Sequence, residues 1–97
     1  MNLVSALGLP RVTMVVGEST DWSRDWSPAL GPDELITSSV WTLPTGITPG
    51  PGSQSGPYTT QWVETTETGD FILTNAIQTS ELRKLVRSMV ISVVEVM

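Results

Sequence analysis

Cysteine and histidine are both absent from this 97-residue chain. Without cysteine there is neither a disulfide framework nor a thiolate metal site, so a domain this small has to hold together by packing. Without histidine, the side chain most used for proton transfer near neutral pH and the commonest nitrogen ligand of metals is missing. Charge is sparse as well: 15% of residues are charged, and ten acidic against five basic side chains leave a net charge of −5. A surface of that sign repels a phosphate backbone, so nucleic acid is not an expected partner. No Lys or Arg precedes the faintly apolar run from Met1 to Leu9, and Pro10-Arg11 closes it, so no signal peptide is expected. The longest apolar stretch, Met89 to Val94, is far shorter than the roughly 20 residues that span a bilayer, and no membrane partner is expected.

What the chain does contain favours strands. Its length suits one domain, which at this size buries roughly 65% of the surface its unfolded form exposes and leaves room for a partner to add stability. Thr, Ser, Val, Ile and Trp are plentiful, and the fold class they predict is all-β. Arg11 to Val16 is a β-branched run between Pro10 and Gly17, read as a first strand. Leu35 to Leu43 and Tyr58 to Thr65 read as further strands, and Phe71 to Thr79 alternates so that Asn75 falls on the apolar side. Thr48 to Pro57, with three prolines and three glycines, reads as a surface loop available to a partner. At the C-terminus a helical stripe through Leu82, Leu85, Val86, Met89, Val90 and Val93 competes with strand alternation. Strand is favoured from about Arg87 to Val96, because Val and Ile lose side-chain freedom in a helix.

Chemistry-bearing constellations are thin. Asp21, Asp25, Asp33 and Glu34 lie close in sequence but match no calcium loop, and they read as solvated carboxylates or as turn and cap acceptors. A two-carboxylate hydrolase is the one catalytic scheme the inventory permits, yet no spacing points to it. Phosphate loops and nucleophile elbows are missing, so no enzyme, cofactor or metal is expected.

Four tryptophans are many for this length, and Trp serves both cores and interfaces. Trp41 and Trp62 read as core. Trp22 and Trp26 sit in a local duplication, Asp21-Trp22-Ser23 and Asp25-Trp26-Ser27, and read as interface candidates of which one packs inward. Arg83, Lys84 and Arg87 concentrate positive charge, either for a head-to-tail contact or to keep a strand edge from pairing. With Pro49, Pro51 and Gln54 of the Pro-Gly stretch, the interface candidates are Trp22, Trp26, Pro49, Pro51, Gln54, Arg83 and Lys84.

The order of several landmarks resembles small tailed-bacteriophage virion proteins of the Ig-like fiber-tail adaptor type. The resemblance runs through Asp25-Trp26-Ser27-Pro28, Ile36 to Ile47, Thr60-Gln61-Trp62-Val63, Thr68-Gly69-Asp70 and Phe71 to Ser80, covering about Ser19 to Val96. Phe71, Asn75, Ile77, Arg87, Ile91 and Val93 match the family pattern on the last two strands. It implies an immunoglobulin-like antiparallel β-sandwich of about six to eight strands over residues 18–97, with Trp41, Phe71, Leu73, Ile77, Met89 and Ile91 in the core. It also implies a virion subunit present as a ring or trimer that joins tail to fiber or neighbouring tail proteins; a capsid cement or decoration protein is the alternative. Two departures are the longer Pro49 to Pro57 stretch and the N-terminal extension. Residues 1–17 are therefore expected to form an arm or first strand, and an arm would add a strand to a neighbouring subunit. Removing Met1 to Val16 is expected to weaken assembly but not folding.

Overall fold

A computed structural model describes residues 9–96. Seven strands follow one another: β1 (Arg11–Val15), β2 (Ser19–Asp25), β3 (Ile36–Thr42), β4 (Ile47–Ser55), β5 (Tyr58–Thr65), β6 (Gly69–Thr79) and β7 (Lys84–Val94). A single 3₁₀ turn over Ser27–Ala29 interrupts the strands, with Pro28 supplying its fixed φ. The strands form a four-stranded sheet, β1-β7-β6-β3, and a three-stranded sheet, β2-β5-β4. Pairing is antiparallel except between β1 and β7, which run parallel. This is the expected immunoglobulin-like sandwich, with one parallel pair at its margin.

Alternation explains the buried face of each central strand. On β6, Leu73, Asn75, Ile77 and Thr79 point inward, and on β5 Thr59, Gln61, Val63 and Thr65 do so. The main core joins Met14, Ile47, Val63, Leu73, Met89, Ile91 and Val93, with Trp22, Trp41 and Phe71 packed partly buried against it. A second cluster gathers Trp26, Ile36 and Ile77 at the other end of the sandwich. Leu73, Ile77, Met89 and Ile91 are thus buried as expected, while Trp41 and Phe71 stand at the core's margin.

The C-terminal segment is a strand, as favoured, but it begins at Lys84. The helical stripe fails because Met89, Ile91 and Val93 all face one core. Thr48 to Pro57 is not a loop: Ile47–Ser55 pairs with β5 through a register shift between Pro49 and Gly52. Proline is tolerated there because β4 is an edge strand, where a missing donor deprives no neighbour. Gly50 permits the bulge to lie against β5, since a Cβ at that position would come within 2.8 Å of the Trp62 Cβ.

Trp62, expected in the core, is 42% exposed. The alternation of β5 admits either Val63 or Trp62, and Val63 takes the inside. At the other margin, β1 crosses to β2 at Gly17, whose φ of +92° suits glycine. Met14 on β1 is 2% exposed, so removal of residues 1–16 would delete part of the core as well as any arm. Of the expected arm or first strand over residues 1–17, residues 1–8 lie outside the described residues, and Arg11–Val15 is a strand paired with β7 of its own chain.

Candidate interaction surface

Two of the expected interface tryptophans belong to the interior. Trp22 lies half-buried on β2 against the main core, with its indole N–H directed to the Met14 sulfur at 3.3 Å. Trp26, just beyond β2, is 1% exposed. Its Nε1 donates to Asn75 Oδ1 at 2.9 Å and to Thr59 Oγ1 at 3.1 Å, and the Thr59 hydroxyl donates to the same Asn75 oxygen at 2.6 Å. The Asn75 amide then donates to Ser39 Oγ at 2.9 Å and to the Val40 carbonyl at 3.2 Å. One asparagine on β6 thereby ties β3 and β5 to the tryptophan. A buried amide is stable in such a place because both of its ends are satisfied. The polar flanks of Trp26 in sequence conceal this, since Asp25 is spent on a local turn: its Oδ1 accepts from the Ser27 N–H and hydroxyl at 2.9 and 2.6 Å.

Arg83 is likewise occupied within the chain. Glu34, expected in solvent, is 6% exposed and receives both Nε and Nη2 of Arg83, together with the Thr79 hydroxyl and the Gly31 N–H. Arg83 also donates to the Ala29 carbonyl at 2.7 Å. The Arg83 guanidinium, followed by the Gly31 and Thr79 donors, holds the Glu34 carboxyl down to about 2. This anchor fixes the hairpin between β6 and β7, whose tip carries Leu82 at a left-handed φ of 63° and 94% exposed. Nothing in the local sequence singles out Leu82, because a leucine beside Glu81 and Arg83 reads equally well as an amphipathic position.

Lys84 opens β7 beside this tip and is exposed, along the rim of an apolar strip. Val40, Ala76 and Val86 stand opposite one another on the outer face of β3, β6 and β7. Val40 is 62% and Val86 53% exposed, and with Ser38, Gln78 and Lys84 they line a hollow of about 440 Å³. Pro49 and Pro51 are exposed on the other sheet and frame a recess of about 180 Å³ beside Trp62. Gln54, also exposed, lines a hollow of about 260 Å³ between β3 and β4 with Trp41 and Gln61. The Trp41 Nε1 is buried there with no hydrogen-bond partner among the described residues. The expected residues are therefore distributed over three faces. Among the described residues no His, Cys, Asp and Glu side chains gather in a group that could hold a metal.

A two-sheet β-sandwich with a polar staple at its centre and apolar side chains on its outer faces is an Ig-like module. The family model for the podophage GP4 fiber-tail adaptor protein gp77 matches residues 15–92. The chain belongs to that family, and so is a structural component of the phage particle at the tail. Among solved structures, the solution structure of the PKD domain from KIAA 1837 protein is similar over 90% of this chain and 80% of that one, at 18% identity and a TM-score of 0.58. That likeness concerns the fold alone. The solution structure of Amebosin aligns over 87% of this chain and 88% of that chain, at 14% identity and a TM-score of 0.44. Curated proteins give no significant match.

Proposed function

We propose that this chain is a non-enzymatic adaptor that joins tail and fiber proteins, or neighbouring tail proteins, through direct protein–protein contacts, present as a symmetric ring or trimer. The observation that carries the reading is the placement of exposed Val40 and Val86 on either side of half-buried Ala76 in one cross-strand row on the outer sheet face. Apolar side chains grouped on an outer face mark an interaction site more often than a solvated one. A symmetric arrangement would multiply each modest contact.

Replacing Val40 and Val86 together with lysine is the direct test, since both side chains already face solvent. Melting is expected to stay near wild type while recovery of the chain in purified tails falls about tenfold or more. Undiminished recovery would remove this face from the contact. Counting copies separates the tail from the capsid: a dozen or fewer suits a symmetric tail site, whereas hundreds suit decoration of the capsid lattice. The family match supports the tail.

A further inference from the structure

Two cations from opposite sheets converge on one buried ring. Arg24 lies near the end of β2 and Arg87 in the middle of β7, and their guanidinium carbons stand 5.4 and 5.6 Å from the centroid of the Trp26 ring. The ring cannot turn away, because its N–H is fixed to Asn75 and Thr59. Together with Asp25, Pro28 and Ala29 these groups line a surface cleft of about 250 Å³.

The positive charge in this cleft is offset from within only by the single Asp25 carboxylate, which forms no ion pair with either guanidinium. Arg11 pairs with Asp70 and Arg83 with Glu34, whereas neither Arg24 nor Arg87 has a carboxylate at ion-pair distance among the described residues. Arg87 donates to its neighbour's carbonyl, Val86, at 2.9 Å. Burial, followed by the repulsion of Arg87, lowers the pKa of Arg24. Two guanidinium groups held together in a chain of net charge −5 run against the average electrostatics of the molecule. Such a pair is relieved by an anion supplied from outside.

We infer that the Arg24–Trp26–Arg87 cleft receives an aspartate or glutamate side chain of a neighbouring tail protein. The inference rests on the adaptor reading for the identity of the neighbour. Guanidinium forks match the planar carboxylate in geometry, and Pro28 and Ala29 offer an apolar wall to the stem of the incoming side chain. Asp25 also lines the cleft, so two positive charges face one negative charge and a monoanion fits better than a phosphate dianion. The acidity of the whole chain disfavours a nucleic-acid backbone as the source.

The test titrates the ¹⁵N-labelled full chain with a hexaglutamate peptide and, separately, with inorganic phosphate at equal ionic strength, following arginine side-chain and tryptophan indole resonances. Peptide is expected to shift Arg24, Arg87 and Trp26 and to leave Arg83, already paired with Glu34, in place. The double variant Arg24→Gln, Arg87→Gln is expected to bind the peptide about tenfold more weakly. No shift, an equal shift at Arg83, an equal or stronger response to phosphate, or unchanged affinity in the folded double variant would overturn the inference. Should that variant fail to fold, the wild-type contrasts between peptide and phosphate, and between Arg87 and Arg83, decide alone. Retention in purified tails separates the two levels. Wild-type chain absent from tails sinks the adaptor reading, while a double variant retained as firmly as wild type overturns only the cleft's role.

Discussion

Asn75 shows how a single residue substitutes for the covalent tie that a cysteine-free sandwich lacks. Its side chain is fully buried and reaches Trp26, Thr59, Ser39 and the Val40 carbonyl, so it joins both sheets at once. Asn75→Ala removes an acceptor shared by two donors, and loss of a buried partner costs about 1–3 kcal/mol for each group left unpaired. We expect that variant to lose about 3 kcal/mol in urea unfolding, with Trp26 fluorescence reporting the change. A loss within the ordinary range of a surface substitution, about 0.5 kcal/mol, would deny the staple its role. Part of this node was legible in the sequence, because the alternation of Phe71 to Thr79 places Asn75 on the apolar side. Its partner was not, since the aspartates and serines around Trp26 suggest solvent while its ring closes the second core cluster.

At the scale of elements, the strands read correctly were those whose one-sided burial leaves a clear period. β6 belongs to that group; β7, where two periods competed, was read from its Val and Ile content, and β4 was missed, because the edge position that makes proline harmless depends on which strands neighbour it in space. Gly50 offers a check on β4. A methyl group there meets the Trp62 Cβ, so Gly50→Ala is expected to destabilise by about 1–3 kcal/mol, whereas a floppy loop would accept it without change in melting. β5 misled in another way: Thr59, Gln61 and Thr65 face inward, and an interior this polar cannot be told from a surface by hydrophobicity alone. The β6–β7 hairpin carries the third expectation. Glu34 has its carboxyl lowered from 4.5 to about 2 in the folded chain, chiefly by Arg83. A depressed carboxyl contributes stability that is fully present above 4.5 and lost as pH falls toward 2. Melting temperature should therefore decline across that window in wild type and decline less in Glu34→Gln; parallel profiles would show that the anchor is energetically silent. Glu34 and Arg83 are far apart in the chain, and nothing local in either segment announces the pair.

For the molecule as a whole, the sandwich and the virion role followed from the order of Trp, Asn and Val-Ile landmarks. The distribution of contact residues did not, because exposure is settled by which neighbour covers a side chain. Trp62 and Leu82 came outward, and Trp22 and Trp26 went inward. Arg83 and Arg87, close in sequence, ended in different surroundings, one quenched by Glu34 and the other facing a cleft with Arg24.

The parallel pairing of β1 with β7 has a mechanical consequence. Strand β1 begins at Arg11 opposite Val90 and ends at Val15 opposite Val94, so the chain enters the domain and leaves it in the same direction. Tension that draws the two chain ends apart pulls β1 one way and β7 the other, along their length, and the ladder between them bears the load in shear. All of its bonds must then yield together rather than one after another, as they would if the strands were peeled from one end. Stretching a tandem of this domain by its ends should give one abrupt rupture per domain, and Val12→Pro, which deletes a donor to β7 within the ladder, should lower the rupture force. An adaptor set between a tail and a fiber that pulls on it would be built to hold tension along this axis.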